Sequence, residues 1–196
     1  MKNYIKDQIK KSYETKQDIY NNDALIETIA RVAKECVKLY RGPNKTILAG
    51  NGGSAADAQH IAAELVGRYG FDRPSIPSLS LTTDTSNLTA IGNDYGYDKV
   101  FSRQLEGMGQ KGDIFIGIST SGNSTNIITA FESAKAKGIM TIALVGRDGG
   151  TMAKMADIAI VVPSNSTPRI QESHILIGHI LCDIIEKEIF ADGVGE

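Results

Sequence analysis

Four hydroxyl side chains crowd a short segment where a predicted buried strand passes into a helix. They belong to Ser119, Thr120, Ser121 and Ser124, with Gly122 among them. The first turn of a helix has unpaired N–H groups and the positive end of the peptide dipole, so hydroxyls beside it can surround a phosphate without lysine or arginine. Serine and threonine are also common helix N-caps, but one residue is enough for that role. The density of hydroxyls therefore favours a phosphate-binding loop.

A second group could bind metal or move protons. His60 and Glu64 are four residues apart in a helical pattern, and residues with this spacing share one helix face. An imidazole and a carboxylate that project together suit a divalent metal such as zinc. A surface histidine–glutamate pair would have the same spacing, so the spacing alone leaves both interpretations open.

The last predicted helix carries the other two histidines of the chain, His174 and His179. They are five residues apart and do not share a face. Gln171 and His179 lie roughly 80° apart around an ideal helix and about 12 Å apart along it. One ion could touch both only near the limit of their reach, unless the first turn is bent or two subunits contribute ligands. A core or interface role for His179, among isoleucines and leucines, stays open.

A glycine-rich loop at residues 50–55 follows the first predicted strand and opens a helix. It matches the loose dinucleotide pattern G-x-G-x-x-A. A Rossmann enzyme places an acidic residue about 20 residues further on, whereas the candidate here, Asp84, lies about 30 residues beyond the loop. Nicotinamide binding is therefore weakly supported, and the loop amides can instead approach a sugar.

These groups are positioned by an alternation of strands and helices. Apolar runs at 46–49, 78–81, 113–118, 140–145 and 158–162 predict five strands. Helical patterns at 54–69, 123–137, 151–155 and 169–190, and a broken helical region at 86–108, separate or follow them. This pattern predicts an α/β fold with a parallel sheet covered on both faces, whose ligands sit beyond the carboxyl ends of the strands. The polar loops both lie at such ends.

Two further helices are predicted in residues 1–40, before the domain at 41–196. The apolar stripe of the first helix is thin and consists of Ile5, Ile9, Tyr13 and Tyr20. We expect this segment to serve oligomerisation, although packing on its own domain fits the stripe equally well.

Composition narrows the class of protein. The chain has 196 residues, 41% hydrophobic and 22% charged, with a net charge of −2. This balance predicts no nucleic-acid partner, and no run is long enough to predict a membrane span. Two distant cysteines, Cys36 and Cys182, favour a reducing, cytoplasmic location.

Taken together, the motifs resemble those of the phosphoheptose isomerases, which are sugar-isomerase (SIS) domain proteins. The resemblance spans nearly the whole chain and rests on 49–54, His60 with Glu64, 67–69, 92–96, 119–124, 169–172 and His179. It implies a single SIS domain with a five-stranded parallel sheet in a flavodoxin-like three-layer sandwich. It also implies a homotetramer with active sites at subunit interfaces and one Zn²⁺ per subunit.

The family converts sedoheptulose 7-phosphate to D-glycero-D-manno-heptose 7-phosphate, the first step toward nucleotide-activated heptose. The resemblance implies a role for each matching position. The metal ligands would be His60, Glu64, Gln171 and His179. The sugar contacts would be Asn51, Gly52, Gly53, Glu64, Asn93, Asp94 and Gln171. The phosphate contacts would be Ser119, Thr120, Ser121 and Ser124.

The implied chemistry fits these residue types. Ketose–aldose isomerisation moves a proton between adjacent carbons through an enediol, which needs a base and an acid. We assign Glu64 as the base and His179 as its acid/base partner, with a metal to polarise the carbonyl. Because a tight ligand cannot also be a free base, Glu64 must use separate oxygens or shift its coordination. Some family members have aspartate where this chain has Pro168, so a role in ring opening stays unassigned.

Two other functions compete with this hypothesis. One is a non-catalytic SIS adaptor of the type that binds a bacterial replication initiator, although an adaptor has no need for both Glu64 and His179. The other is an isomerase of a different phosphosugar.

Overall fold

The chain begins with two helices that precede the sheet. The computed structural model describes residues 1–190, so residues 191–196 of the predicted 41–196 domain lie outside the described part. Helix α1 spans Lys2–Tyr20 and α2 spans Asp23–Tyr40. Asn22 separates them, because its side-chain Oδ1 accepts a hydrogen bond from Leu25 N at 3.1 Å and caps α2.

Five parallel strands form one sheet in the order β2-β1-β3-β4-β5. They span Thr46–Gly50 (β1), Ser78–Ser80 (β2), Ile114–Ser119 (β3), Met140–Gly146 (β4) and Ile158–Val162 (β5). Each predicted strand is found within one residue of its predicted ends. The strand order reverses between β1 and β3, and at such a switch point the loops beyond the strands open a crevice for ligands.

The remaining helices cover both faces of the sheet. They span Gly53–Val66 (α3), Thr85–Tyr95 (α4), Ser102–Met108 (α5), Thr125–Ala136 (α6), Gly150–Met155 (α7) and Thr167–Phe190 (α8), and a short 3₁₀ turn covers Tyr97–Lys99.

Two hydrophobic cores lie on opposite faces of the sheet, so the molecule has three layers. On one face, β-strand residues such as Ile116 pack with α2, α3 and α8. On the other, Phe115 packs edge-on against Phe131 of α6, with ring centroids 5.6 Å apart. Neighbouring strand residues alternate between the two cores, as period-2 geometry requires. The predicted flavodoxin-like sandwich is confirmed.

The predicted end of the third helix was wrong. We expected helix over 54–69, but α3 ends at Val66. The buried Arg73 guanidinium captures the backbone carbonyls of Glu64 and Leu65 at 2.9 and 2.7 Å. These hydrogen bonds satisfy the last carbonyls of α3, so the chain turns away instead of continuing the helix.

Helix α1 turns its apolar stripe to solvent. Ile5, Ile9, Tyr13 and Tyr20 are all exposed, Ile9 by 60% and Tyr20 by 77%. Only Thr15 and Ile19 of this helix are buried. Of the two interpretations of the stripe, packing on its own domain is therefore contradicted.

The thiols of Cys36 and Cys182 are buried and unpaired with each other, and burial raises the pKa of each to about 12. Among residues 1–190, we find no helix with the length and apolarity needed to cross a membrane.

Candidate active site

Three of the predicted metal-binding and catalytic side chains meet between α3 and α8. His60 Nε2 lies 2.9 Å from Glu64 Oε1 and 3.2 Å from His179 Nε2, and one donor atom of each residue lies within 4.8 Å of the others. The His60 side chain is 49% exposed and that of Glu64 is 25% exposed. Two imidazoles and a carboxylate thus converge at the protein surface, where they could hold a metal or exchange protons with a bound molecule.

A glycine lets the two helices come close enough for this meeting. A Cβ at Gly178 would lie 2.6 Å from Ile61 Cδ1, a distance that real side chains do not reach. Since Ile61 follows His60 and Gly178 precedes His179, the close approach at this pair positions the cluster directly beside it.

Gln171 lies at the other end of the α3–α8 contact. Its side-chain amide packs against Gly53, and a Cβ at that position would collide with Gln171 Nε2. The structure therefore places Gln171 beside the glycine loop, eight residues before His179 on α8.

The two histidines of α8 have opposite environments. His174 is fully buried, and neither ring nitrogen makes a hydrogen bond of normal geometry, although the Val145 backbone lies against the ring. Burial lowers the pKa of His174 to about 4, because desolvation penalises the imidazolium. The sequence left open that His179 is a buried core histidine, but in the structure the core histidine of α8 is His174.

The hydroxyls of the segment after β3 face one another. Ser119 Oγ lies 2.8 Å from Ser124 Oγ, and Ser121 Oγ accepts a hydrogen bond from Asn123 N at 3.2 Å. Ser124 is the N-cap of α6, but its side chain makes no capping hydrogen bond. Thr120, next to them, is partly exposed. Helix capping therefore does not account for this group of hydroxyls.

Glycine is required within that segment. Gly122 has a φ of +67°, and a Cβ there would collide with the Gly149 carbonyl. The Gly122 carbonyl accepts a hydrogen bond from Met152 N at 2.9 Å. The loop is thereby held against the start of α7.

Asn51, in the glycine loop, is held by two residues from other segments. It exchanges two amide hydrogen bonds with Asn126, at 2.9 and 2.8 Å, and its Oδ1 also accepts from the Tyr97 hydroxyl at 3.1 Å. Gly52 and Gly53, which follow Asn51, are exposed at the start of α3. Asn93 and Asp94 lie exposed in the last turn of α4, and Asn93 donates to Asp94 Oδ1 at 2.8 Å.

Comparison with known proteins identifies the fold and the family. The SIS domain model matches residues 9–146. The phosphoheptose isomerase of Sulfurimonas denitrificans is 83% identical over 194 residues, covering 99% of this chain and all of that protein. The chain belongs to the phosphoheptose isomerase family. The phosphoheptose isomerase of Aneurinibacillus thermoaerophilus is 58% identical and covers 97% of this chain and 96% of its own.

Among solved structures, the phosphoheptose isomerase GmhA from Neisseria gonorrhoeae superposes with a TM-score of 0.89. It is 43% identical and the match covers 95% of this chain and 98% of that one. These matches to phosphoheptose isomerases favour neither the adaptor nor the isomerase of a different sugar.

Sequence reasoning missed three polar residues of this region. Asn126 and Tyr97 contact Asn51, and Asp57 of α3 has a buried Oδ2 without a hydrogen-bond partner among the described residues. Burial raises the pKa of Asp57 to about 6, and the charge of His60 opposes this shift. Asp57 lies three residues before His60 and Asn126 two after Ser124, so proximity to the motifs was the available signal.

Proposed function

We propose that this chain isomerises sedoheptulose 7-phosphate to D-glycero-D-manno-heptose 7-phosphate, the first step toward nucleotide-activated heptose. The observation that carries the proposal is the convergence of Glu64 and His179 within one cluster of donor atoms. Its support is the high identity to phosphoheptose isomerases along almost the entire chain.

The phosphate is held by the hydroxyls of Ser119, Thr120, Ser121 and Ser124. The N-terminus of α6 adds backbone N–H groups and the positive end of its dipole. With a net charge of −2, the chain has no general attraction for anions, so this local geometry must supply the binding. In our proposal the sugar contacts Asn51, Gly52, Gly53, Asn93, Asp94, Glu64 and Gln171.

Glu64 takes the proton from one carbon of the sugar and returns it to the next. A base positioned in this way contributes about 10²- to 10⁴-fold to the rate. His179 exchanges a proton with the sugar oxygens as the enediol forms and collapses. His60 helps to orient both residues, since its Nε2 contacts the Glu64 carboxylate and the His179 ring.

The same donors fit a zinc ion. Tetrahedral zinc with ligand distances of about 2.0–2.2 Å needs donor atoms about 3.3 Å apart. Two of the three spacings in the cluster, 2.9 and 3.2 Å, are close to this value, and the third is within 4.8 Å. We propose that His60, Glu64 and His179 hold one Zn²⁺ per subunit, which when bound supplies Lewis-acid polarisation of the substrate carbonyl. Gln171 at the start of α8, whose amide lies against Gly53, completes the proposed ligand set either from a second subunit or through a bend in the first turn of α8. Glu64 then keeps one carboxylate oxygen for proton transfer.

We propose further that the enzyme is a cytoplasmic homotetramer assembled through residues 1–40. The exposed apolar stripe of α1 supports an interface, and the half-exposed His60 supports active sites that a neighbouring subunit covers. The unpaired, buried thiols are consistent with a reducing compartment.

Metal removal tests the reaction and the cofactor together. Purified protein should convert sedoheptulose 7-phosphate, lose activity after chelation and dialysis, and regain it with stoichiometric zinc. Five- and six-carbon ketose phosphates serve as controls for substrate class. Preferred turnover of a shorter sugar would contradict the substrate, and full activity of metal-free protein would contradict the cofactor.

A further inference from the structure

One side-chain hub joins the three polar segments at the carboxyl edge of the sheet. Asn51 comes from the loop after β1, Asn126 from the first turn of α6, and Tyr97 from the 3₁₀ turn after α4. Asn51 and Asn126 are 75 residues apart, and Asn51 and Tyr97 are 46 apart. The hub therefore links the proposed sugar loop, the proposed phosphate loop and the segment after Asn93 and Asp94.

The hydrogen bonds of the hub tie the orientation of the Asn51 amide to that of the Asn126 amide. In the structure Asn51 Oδ1 accepts from Asn126 Nδ2 and from the Tyr97 hydroxyl, and Asn51 Nδ2 donates to Asn126 Oδ1. If the Asn51 amide alone rotated by 180°, its Nδ2 would face the Asn126 donor and its Oδ1 would face the Asn126 acceptor. Asn126 is only 4% exposed, so water cannot readily compensate for these mismatches.

We propose that Asn126 is a positioning residue for the sugar, with Tyr97 as its second support. Together they fix the Asn51 amide so that its remaining Nδ2–H, which has no partner among the described residues, points away from Asn126 toward a sugar hydroxyl. Because Asn126 also lies two residues beyond Ser124, the start of α6 would position both the phosphate and the sugar. This inference rests on the proposed isomerase function.

A double-mutant cycle tests whether Asn126 acts through Asn51. The four proteins are wild type, Asn51→Ala, Asn126→Ala and the double variant, each assayed with sedoheptulose 7-phosphate. We expect Asn126→Ala to lower kcat/KM by about 10- to 100-fold, because a misplaced sugar loses its productive geometry. In the Asn51→Ala background the same change should add less than about 3-fold, because the two residues act as one unit.

Inhibition by inorganic phosphate separates positioning from phosphate binding. The Ser119–Ser124 contact does not involve the hub, so the inhibition constant of phosphate should stay within about 2-fold in Asn126→Ala. The loss should appear mainly in kcat. Equal effects of Asn126→Ala in both backgrounds, or an unchanged kcat with weakened phosphate inhibition, would overturn the proposal.

Two further variants sharpen the test. Tyr97→Phe removes only a hydroxyl. Because Tyr97 is 63% exposed, water can partly replace its hydrogen bond to Asn51, and we expect about a 2- to 5-fold loss of kcat/KM. Unchanged kinetics would overturn the part assigned to Tyr97. Thr129→Ala is the matched control, since this hydroxyl bonds only within α6, to Thr125 O at 3.0 Å, and its kinetics should equal those of wild type.

A thermal-denaturation cycle on the same four proteins keeps the two proposals distinguishable. If wild type does not turn over the heptose phosphate, the proposed function fails and this cycle decides the hub. Shifts in Tm that are smaller in the double variant than the sum of the single variants support the hub. Additive shifts overturn it, whatever the activity.

Discussion

Glu64 has one carboxylate and two proposed tasks. Oε1 lies 2.9 Å from His60 Nε2, and our proposal therefore gives the ligand task to this oxygen and the proton-transfer task to Oε2. This division is possible because the side chain is only partly exposed and is held by its helix neighbour. The residue is therefore the most informative single position to change.

We expect Glu64→Gln to lower kcat by at least about 100-fold, because an amide cannot accept the proton that a carboxylate carries. Metal content and substrate KM should be measured on the same preparations by elemental analysis and steady-state kinetics. Near-normal turnover with metal still bound would contradict the assignment of Glu64 as the base.

His174 makes stability depend on pH. Its folded-state pKa is about 4 and its unfolded value about 6.5, so the unfolded chain binds the proton first. The neutral imidazole makes its full contribution to the free energy of unfolding above pH 6.5. This contribution falls by up to roughly 3 kcal/mol as the pH is lowered toward 4. Asp57, whose pKa is raised to about 6, changes the free energy of unfolding in the opposite direction over an overlapping pH range.

The difference between two denaturation curves isolates the histidine. Urea unfolding of wild type and of His174→Phe, measured from pH 7 to pH 4.5, should show a gap in the free energy of unfolding that changes with pH. As pH falls, the free energy of unfolding of the variant should rise relative to that of wild type. A constant gap would contradict the buried, neutral state of His174.

At the scale of elements, a buried ion pair connects the end of α3 to the end of α8. Arg73 Nε lies 2.9 Å from Glu186 Oε1, and both side chains are 1% exposed. Glu186 also accepts hydrogen bonds from Tyr69 N and Gly70 N, at 2.8 and 2.6 Å. Burial raises the pKa of Glu186, but these hydrogen bonds and Arg73 outweigh it and lower the pKa overall. The pair thereby shapes the segment that follows Glu64 and holds Tyr69, whose ring centroid lies 5.8 Å from that of His179.

Glu186→Gln should therefore destabilise the protein by about 3–5 kcal/mol, because it leaves a buried guanidinium without its counter-charge. The partly exposed pair of Lys187 and Asp183 on the same helix, 2.8 Å apart, provides the control. Asp183→Asn should cost less than about 1 kcal/mol. Equal free energies of unfolding for the two variants, measured by urea denaturation, would show that the buried pair has no special role.

At the scale of the whole molecule, α1 is joined to its own domain by polar contacts as well as by the buried Ile19. Ser12 Oγ donates to Glu172 Oε2 at 2.7 Å, and Arg169 donates to the Gln8 carbonyl. Glu172 follows Gln171, so the same helix turn faces both α1 and the candidate active site. An interface built on α1 would thus lie close to the proposed catalytic groups.

Ile9→Lys should break the proposed tetramer, because it places a charge in the centre of the exposed apolar stripe. Glu14→Gln changes the net charge by the same amount, about 140° away on the helix, and should leave the assembly intact. Light scattering after gel filtration measures the mass against the 21.1 kDa of one chain. A monomeric wild type at micromolar concentration would contradict the interface.

Local sequence determined most of the fold and the chemistry of the site. Strand ends, the Asn22 cap and the hydroxyl segment depend on neighbouring residues, because turns, caps and strand periodicity are short-range effects. The pairing of His60 with Glu64 is equally local, since one turn of helix separates them.

Tertiary structure decided what depends on distant segments. Only the family resemblance singled out His179. Residue spacing alone could not show that His179, rather than His174, reaches His60, because this choice depends on how α8 rotates against α3 at Gly178. Nor could it reveal that Asn126 pairs with Asn51 or that Arg73 ends α3. Such contacts form only after the sheet brings loops from its several strands to one edge, and no periodicity within a single element encodes them.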